Sequence, residues 1–278
     1  MAVEIRKIAA EKKQLRHYTK FGISLYKDND CYVPPLIMDD VATLDPKKNP
    51  AFENCEAQSW MAYRDGKPVG RITGIINRLV NSRTGLKDVR FGFVDFIDDD
   101  EVAEALFDTV AQWGREHGMD SMVGPLGFTD LDHEGMLTFG FDEPGTMATI
   151  YNYPYYPEHM KRMGFEPDAE WVEFRISIPD SVPDRLKRVS DIVTAKLDLH
   201  TKKYKSSKKL KADYGVALFD LFNRTYDKLY GYSPLTPRQI QYYIDQYLPM
   251  LRLKNLSIIV DADDKLVGVG ITMPSMSR

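Results

Sequence analysis

A short polar run in the middle of the chain carries side chains that could act as general bases. Asp130, His133 and Glu134 follow a predicted strand, and carboxylates and imidazoles are among the groups that most often remove protons in enzymes. Thr129, next to them, adds a hydroxyl that can donate or accept a hydrogen bond. Polar residues after a strand are also common turn formers, so a turn without a chemical role is the alternative interpretation.

A second group, rich in tyrosine, lies further along the chain on a loop bounded by prolines. Binding residues are often found on loops that a rigid sheet supports, so the two groups together predict a polar, aromatic-walled pocket for an acceptor molecule. The alternative is that these aromatic side chains only pack the loop onto the sheet. The predicted substrate-binding residues are Thr129, Asp130, His133, Tyr151, Asn152 and Tyr153.

Four consecutive acidic residues, Asp98 to Glu101, open the most regular helical pattern of the chain. Carboxylates at a helix start accept hydrogen bonds from its first free N–H groups, and their charge repels a phosphate from the same place. A divalent-metal site built from Asp98 to Asp100 is an alternative, but metal loops usually space their ligands and include a glycine. We therefore predict a capped helix start and no metal site.

Two sequence motifs occur twice at nearly the same offset. Lys67-Pro68-Val69-Gly70-Arg71-Ile72 recurs 198 positions later as Lys265-Leu266-Val267-Gly268-Val269-Gly270, and the proline motif at 32–36 recurs at 232–235 with an offset of 199. Such spacing predicts a duplicated module. We expect a first module at 1–180, a linker with the first strand of a second module at 181–211, and the N-terminal half of that module, apparently truncated, at 212–278.

Periodicity and turn residues predict a mixed α/β order for the first module. Asp65-Gly66 is typical of a hairpin turn, and the run at 90–97 is apolar enough to be buried on both faces. The helix after Asp98 has an apolar stripe and ends before Gly118. The predicted strands are 3–8, 58–63, 69–76, 90–97, 121–128 and 171–178, with helices at 11–28 and 37–44, from Asp98 to Gly118 and from Pro157 through Met163. A helical stripe of Val216, Phe219, Phe222, Tyr226 and Leu229, another of Ile240, Tyr243 and Tyr247, and a hairpin at 256–260 and 266–272 follow.

This order of elements resembles the fold of the GCN5-related N-acetyltransferases (GNAT). The stretch from His159 to Phe165 is similar to the family's helix that ends in Gly-Phe, and the segments 124–130 and 149–157 resemble a bacterial subgroup of tandem GNAT-like proteins. The resemblance implies an α/β fold with a mixed sheet, in which one complete GNAT-like module is followed by a partial second one.

The resemblance also implies acyl transfer from a coenzyme A (CoA) thioester, but two GNAT features are missing. GNAT enzymes hold the diphosphate of CoA with a glycine-containing loop before a helix, and here that place is the acidic run. Met160 stands where the resemblance places a proton-donating tyrosine, and a thioether has no proton to donate. Tyr155, Tyr156 or His159 could substitute. The catalytic candidates are therefore Tyr156, His159 and Glu134, and a CoA site is expected in the second module, with its residues unknown.

The predicted function is N-acyl transfer from acetyl-CoA, or another acyl-CoA, to a small amine. One alternative is a non-catalytic ligand-binding module, which the acidic run and Met160 favour for the first module taken alone. Another is aminoacyl transfer of the kind that builds peptidoglycan cross-bridges. A basic surface for an aminoacyl-tRNA would support it, and the six lysines at 202–211 are its only indication; a solvated charge run is the simpler interpretation.

Composition limits the partners that we expect. The net charge is −4, which argues against a general nucleic-acid binder, and no apolar run reaches the ~20 residues that cross a bilayer. Two cysteines and no leading apolar segment predict a cytoplasmic protein with reduced thiols. We expect a small-molecule substrate and no membrane partner. We also expect either disorder near the C-terminus or pairing of the edge strand at 266–272, which could form a homo-oligomer.

Overall fold

The computed structural model describes residues 2–146 and 148–273, without the side chain of Met250. Contacts divide the chain into two compact units. The first contains the residues up to Ala169 together with Tyr230–Ser233, and the second contains Glu170–Leu229 and Pro234–Pro274.

The first unit is built on a five-stranded mixed sheet in the order β1-β2-β3-β4-β5. The pairings from β1 to β4 are antiparallel, and β4 pairs with β5 in parallel. Its strands are β1 (Glu4–Ile8), β2 (Cys55–Arg64), β3 (Lys67–Asn77), β4 (Asp88–Phe96) and β5 (Ser121–Val123). Its helices are α1 (Lys12–Leu25), α2 (Ile37–Thr43), α3 (Arg78–Thr84), α4 (Asp100–Glu116) and α5 (Tyr155–Arg162), with a short 3₁₀ helix at Pro50–Glu53.

Local sequence explains the two elements that were predicted most clearly. Asp65 and Gly66 both have positive φ angles, 53° and 74°, as a two-residue turn between twisted strands requires. Helix α4 buries its apolar stripe against the sheet and ends before Gly118, whose φ is 81°. The predicted hairpin and helix are both confirmed.

Strand β4 is irregular in its second half. Opposite β3, Arg71 pairs with Asp95 and Thr73 with Gly92, so β4 carries a bulge that contains Phe93 at φ 47°. On its other side, β4 pairs with β5 only as far as Val123, and one further bond joins Leu126 N to the Phe91 carbonyl at 2.9 Å. The two strands then diverge.

The predicted strand at 121–128 is therefore wrong beyond Val123. The chain leaves the sheet at Gly124-Pro125, where the φ of Gly124 is 156° and proline has no N–H group to donate to a strand partner. The apolar alternation that suggested a longer strand instead places Leu126 and Phe128 in the buried core.

Two apolar clusters lie in the first unit. One contains side chains of the sheet, α4 and α5, and the other contains side chains of β1, α1, α2 and the sheet. Helices on both faces explain why β3 and β4 are apolar along most of their length.

The second unit contains a three-stranded antiparallel sheet in the order β6-β7-β8. Its elements are α6 (Asp184–Lys196), β6 (His200–Lys202), α7 (Ser207–Thr225), α8 (Pro237–Tyr247), β7 (Leu256–Val260) and β8 (Leu266–Ile271), with 3₁₀ turns at Leu248–Met250 and Leu253–Asn255. From β6 to β8 the order is strand, two helices and hairpin, which is also the order from β1 to β3.

One prediction for this part of the chain is wrong, and another is correct only in part. Residues 171–178 form no strand, because alternation supplies an apolar face but no described strand lies beside it to complete the hydrogen bonds. In α7, Phe219 is buried and Phe222 packs against the core as predicted, but Val216 is exposed, and so are Tyr226 and Leu229 beyond the helix end. Leu210, Tyr214 and Leu218 face the core instead. The predicted C-terminal disorder lies outside the described residues. No helix among those residues has the length and apolar character needed to cross a membrane.

Candidate functional site

A buried ion pair lies at the centre of the first unit. Arg71 of β3 and Asp95 of β4 are register partners, and Arg71 Nε donates to Asp95 Oδ2 at 2.7 Å with their side chains 7% and 10% exposed. Burial opposes the charge of Arg71, but Asp95, together with Tyr18 and Asp40, raises the arginine's pKa above its usual value. Gly22 of α1 leaves space for the Arg71 side chain, because a Cβ at this position would clash with the guanidinium. The pair is thus fixed by both strands and the helix above them.

Three tyrosines surround this ion pair. The hydroxyl oxygens of Tyr26 and Tyr156 are 2.8 Å apart and lie 3.0 and 3.4 Å from Asp95 Oδ1. Tyr18 donates to the Phe93 carbonyl at the bulge, at 2.9 Å. Burial first, and then the charge of Asp95, raises the pKa of Tyr26 and of Tyr156 well above the usual value. These phenols therefore stay protonated and act as hydrogen-bond donors to Asp95.

Tyrosine side chains also form hydrogen bonds to the backbone at the end of β4. Tyr156 accepts a hydrogen bond from Phe96 N at 3.1 Å, and Tyr155 donates to the Phe96 carbonyl at 2.6 Å. The ring of Tyr156 stacks on that of Phe96 with centroids 4.4 Å apart. The last residue of β4 therefore has both backbone groups bonded to side chains of α5.

The acidic run lies beside this point and is paired throughout. Asp99 caps α4 by accepting from Val102 N at 3.1 Å, as predicted, and forms a bidentate contact with Arg64. That contact is the main reason why the pKa of Asp99 is lowered. Arg64 also donates to Glu101 at 2.7 Å. The first N–H groups of α4 already have a carboxylate partner.

His159 joins the other two carboxylates. Its side chain is 2% exposed, with Nε2 2.8 Å from Asp98 Oδ1 and Nδ1 3.0 Å from Asp100 Oδ1, and Arg162 donates to Asp100 at 2.7 Å. An open cleft of about 580 Å³ lies here, and four of its seven lining residues are acidic: Arg64, Asp98, Asp99, Asp100, Glu101, His159 and Arg162. Among the described residues, no group of three His, Cys, Asp or Glu side chains is placed to hold a metal ion.

The loop after β5 holds carboxylates whose pKa values are raised by burial. Asp132 Oδ2 accepts from Phe128 N at 2.7 Å and from Thr129 N at 3.1 Å, which closes the loop on itself. Burial raises the pKa of Asp132 to about 6, and burial together with the nearby charge of Asp130 raises the pKa of Glu134 to about 7. Glu134 is half-buried, so it could exchange a proton near neutral pH.

The neighbours of Glu134 show which predicted residues share its loop. Thr129 is buried, Asp130 Oδ1 accepts from Ser233 N at 3.2 Å, and His133 is exposed. Burial is also the main reason why the pKa of Asp130 is raised. The polar run thus forms one compact loop, in which Asp132 has the structural role. Among the described residues, none donates a hydrogen bond to the Glu134 carboxylate.

The other predicted binding residues hold the tyrosine loop together. Asn152 accepts from Leu137 N at 2.6 Å and donates to the Leu137 carbonyl at 3.1 Å. Tyr151 donates to the Phe141 carbonyl at 3.0 Å, and Tyr153 donates to the Leu25 carbonyl at 3.2 Å. These hydrogen bonds fix the loop backbone, as the packing alternative stated above expects, and leave Tyr156 and the 129–134 loop in separate hydrogen-bonded groups.

The sequence analysis missed the ion pair and two of its tyrosines. Arg71 and Asp95, like Arg90, are charged residues inside strands β3 and β4, whose interiors are otherwise mostly apolar. A charge in such a strand needs a buried partner, and that requirement was the available signal. Tyr18 and Tyr26 carried no comparable signal, because tyrosines are common on the apolar face of a helix.

Two curated proteins are similar to this chain over nearly its whole length. No family model matches the chain. The chain is 27% identical over 268 residues to Protein YghO of Escherichia coli (strain K12), a match that covers 96% of this chain and 67% of that protein. It is 25% identical over 273 residues to the bacterial ceramide synthase of Caulobacter vibrioides, covering 95% of this chain and 68% of that protein.

Two solved structures are among those that are similar to this chain. A tandem GNAT protein from the clavulanic acid biosynthesis pathway matches 98% of this chain and 75% of its own, with 15% identity and a TM-score of 0.48. An acetyltransferase of Clostridium acetobutylicum, solved with acetyl-CoA, matches 62% of this chain and 96% of its own, with 12% identity and a TM-score of 0.39. The order and pairing of elements in the first unit confirm the GNAT-like fold predicted from the sequence.

Proposed function

We propose that this protein is an N-acyltransferase, which moves an acyl group from acyl-CoA to an amine. The observation that carries the proposal is Glu134, a half-buried carboxylate with a pKa of about 7 on the loop after β5 of a GNAT-like sheet. A base with this pKa removes a proton from an amine effectively near neutral pH.

The first unit does not fit CoA in the way that GNAT enzymes hold it. The backbone groups of Phe96, at the end of β4, are bonded to Tyr155 and Tyr156. The start of α4 is capped by Asp99, and a diphosphate there would face four carboxylates. We therefore assign acceptor recognition to the first unit and acyl-CoA binding to the second module. The described residues of the second unit correspond in order to β1–β3 and include no counterpart of β4 and α4.

Glu134 acts as the general base that deprotonates the acceptor. Its carboxylate accepts a proton from the ammonium form of the acceptor, which frees the nitrogen lone pair to attack the thioester carbonyl. The C–N bond forms as the C–S bond breaks and the CoA thiolate leaves. The charge of Asp130 favours this protonation, while Arg90, which donates to the Gly127 carbonyl at 3.1 Å, opposes it. Burial, together with these charges, sets the pKa of Glu134 at about 7.

The relatives suggest two classes of acceptor. A small amine is the acceptor expected from the GNAT resemblance. The similarity to a protein named bacterial ceramide synthase, over 95% of this chain, favours a long-chain amino alcohol as the second candidate, because a ceramide is an amide of such an amine. Both acceptors form the same amide bond.

The aminoacyl-transfer alternative loses support in the structure. Three lysines of the run at 202–211 already have partners: Lys202 pairs with Asp264, Lys211 pairs with Asp245, and Lys203 donates to Ser257 Oγ at 3.0 Å. Fewer charges thus remain for an aminoacyl-tRNA than the sequence suggested. A non-catalytic binding module remains the alternative that the activity test must distinguish.

The test is amide formation from acetyl-CoA and longer acyl-CoAs by a chain that contains the complete second module, measured by mass spectrometry against small amines and long-chain amino alcohols. We expect Glu134→Gln to lower kcat by roughly 10²- to 10⁴-fold and to remove the rate increase centred near pH 7. Glu104→Gln, at an exposed position of α4, is the matched control and should keep full activity. No product with any pair, or an unchanged pH profile in Glu134→Gln, would contradict the proposal.

The place of the acyl-CoA site needs its own measurement. Asp100→Asn and Glu101→Gln each remove a negative charge from the 580 Å³ cleft. If acetyl-CoA bound there, each variant would bind it several-fold more tightly, because a repulsive charge would be gone. Measured by calorimetry on a chain that contains the complete second module, the Kd for acetyl-CoA should be unchanged in either variant.

A further inference from the structure

Helix α6 leaves an apolar face uncovered. No residue of this helix is buried, and five apolar side chains in and just after it are between 42% and 60% exposed. Their spacing places them on one side of the helix. They are Leu186, Val189, Ile192, Val193 and Leu197.

The chain before α6 extends this apolar surface in sequence. Residues 171–178 carry five large apolar side chains, each more than half exposed: Trp171, Val172, Phe174, Ile176 and Ile178. Single exposed apolar residues are ordinary, but an extended run of them marks a surface that another molecule covers.

The charges on and after α6 indicate what that molecule is. Within Asp184–Lys196 there are four basic residues (Arg185, Lys187, Arg188, Lys196) and two acidic ones (Asp184, Asp191), so the helix carries a net charge of 4 − 2 = +2 in a chain whose net charge is −4. Lys205, Lys208 and Lys209 follow and are exposed. An uncovered apolar face bordered by basic side chains is complementary to an anionic, apolar surface.

We propose that α6 binds the surface of an anionic lipid bilayer, lying in the plane of the interface with its apolar face toward the acyl chains. Helices of this composition bind bilayers through apolar burial together with attraction between their basic residues and acidic headgroups. Trp171, 56% exposed, is an aromatic side chain of the kind that settles at the headgroup level.

This inference revises one expectation from the sequence. The absence of a membrane partner was inferred from the lack of a spanning segment, but a helix that lies on the bilayer needs neither the length nor the overall hydrophobicity of one that crosses it. The inference is independent of the proposed acyl transfer, since none of its residues belongs to the site around Arg71 and Glu134.

Vesicle co-sedimentation of the full chain tests the proposal. We expect binding to vesicles of phosphatidylcholine mixed with phosphatidylglycerol, little binding to phosphatidylcholine alone, and weaker binding as salt rises. Val189→Asp places a carboxylate on the apolar face, and Thr194→Asp makes the same charge change on the polar face. Val189→Asp should weaken binding at least about tenfold more than Thr194→Asp, which loses only headgroup attraction.

Trp171 provides a second readout. Anionic vesicles should shift tryptophan emission to shorter wavelength in the wild-type chain, and Trp171→Phe should remove most of that shift because Trp60 is buried and Trp113 is partly buried. Circular dichroism and thermal unfolding confirm that each variant is folded.

Two results would overturn the proposal. The first is a wild-type chain that stays in the supernatant with phosphatidylglycerol vesicles. The second is a dimer in analytical ultracentrifugation that Val189→Asp dissociates while vesicle binding is absent or equal in the two Asp variants, because the face would then be covered by a second copy of the chain.

Discussion

The two units begin with the same order of elements but bury different kinds of side chain. The first unit buries two arginines, Arg71 and Arg90, together with Asp95 and His159. In the second, the buried polar side chain among the described residues is Gln239, which forms the capping box of α8. A strand, two helices and a hairpin can therefore be stabilised by apolar burial with almost no buried charge.

The repeated motif allows this comparison at a single position. Gly70-Arg71 in β3 corresponds to Gly268-Val269 in β8, so the residue that follows the glycine is charged in one copy and apolar in the other. Buried ion pairs seldom add stability over apolar residues of similar size. Because the fold forms with valine at this position, we interpret the Arg71–Asp95 pair as a functional feature of the first unit.

The largest expected effect comes from removing one partner of this pair. Arg71→Met leaves Asp95 charged and buried, held only by the hydroxyls of Tyr26 and Tyr156, and should lower the free energy of unfolding by about 3–5 kcal/mol. Urea unfolding followed by tryptophan fluorescence measures the change.

Val269→Met is the control in the second unit and should cost less than about 1.5 kcal/mol, since it exchanges one apolar side chain for another at a partly buried position. The double variant Arg71→Met/Asp95→Leu should recover most of the loss. If Arg71→Met and Val269→Met cost the same, the two cores would not differ in the way described.

Local chemistry explains which elements could be predicted from the sequence. The β2–β3 hairpin and α4 depend on a turn, a cap and a periodic stripe within a few residues of each other, and both were predicted. The strands at 121–128 and 171–178 were predicted from alternation alone. A strand also needs a neighbour, and Gly124-Pro125 ends the first while none of the described strands lies beside the second.

The candidate site was predicted only in part, for the same reason. Glu134 and the capping role of Asp99 follow from residues close in sequence. The Arg71–Asp95 pair joins two strands, and its tyrosine partner Tyr156 comes from a helix 61 positions after Asp95. Such contacts depend on the register of β3 with β4, which shifts at the bulge. Residues close together in the sequence do not predict that register.

A smaller difference in unfolding free energy is expected between removing a tyrosine hydroxyl from the first unit and removing one from the second. Tyr156→Phe removes a buried hydroxyl that contacts Tyr26, Asp95 and Phe96 N, and should cost about 1–3 kcal/mol because buried polar groups lose their partner. Tyr214→Phe loses the hydrogen bond at 3.0 Å to the Asp264 carbonyl in a turn and the interaction of the hydroxyl with Lys202, and should cost about 0.5–1.5 kcal/mol. Equal costs, measured by urea unfolding, would show that the polar network of the first unit is no stronger than these contacts of Tyr214.

The last expected difference is in how stability depends on pH. The contribution of one carboxylate in the first unit is lost as pH rises, and that of one carboxylate in the second unit is lost as pH falls. Burial raises the pKa of Glu134 from its ordinary 4.5 to about 7, so between these values the folded state holds a proton that the unfolded state has lost. Stability therefore falls as pH rises through this range. In the second unit, the hydrogen bond from Lys211 lowers the pKa of Asp245 below its ordinary 3.8, so its contribution is complete above that value and is lost only as pH falls further.

Glu134→Gln isolates the first of these contributions, because glutamine has the shape of the protonated acid and does not ionise. At pH 5 the variant and the wild type should unfold at nearly the same urea concentration. At pH 8 the variant should be more stable by about 1–2 kcal/mol, a value reduced from the full shift because Glu134 is partly exposed. Asp245→Asn should match the wild type at both values. A Glu134→Gln difference that is the same at pH 5 and pH 8 would mean that Glu134 ionises as it does in water, and the base proposed for acyl transfer would then have to be sought elsewhere in the chain.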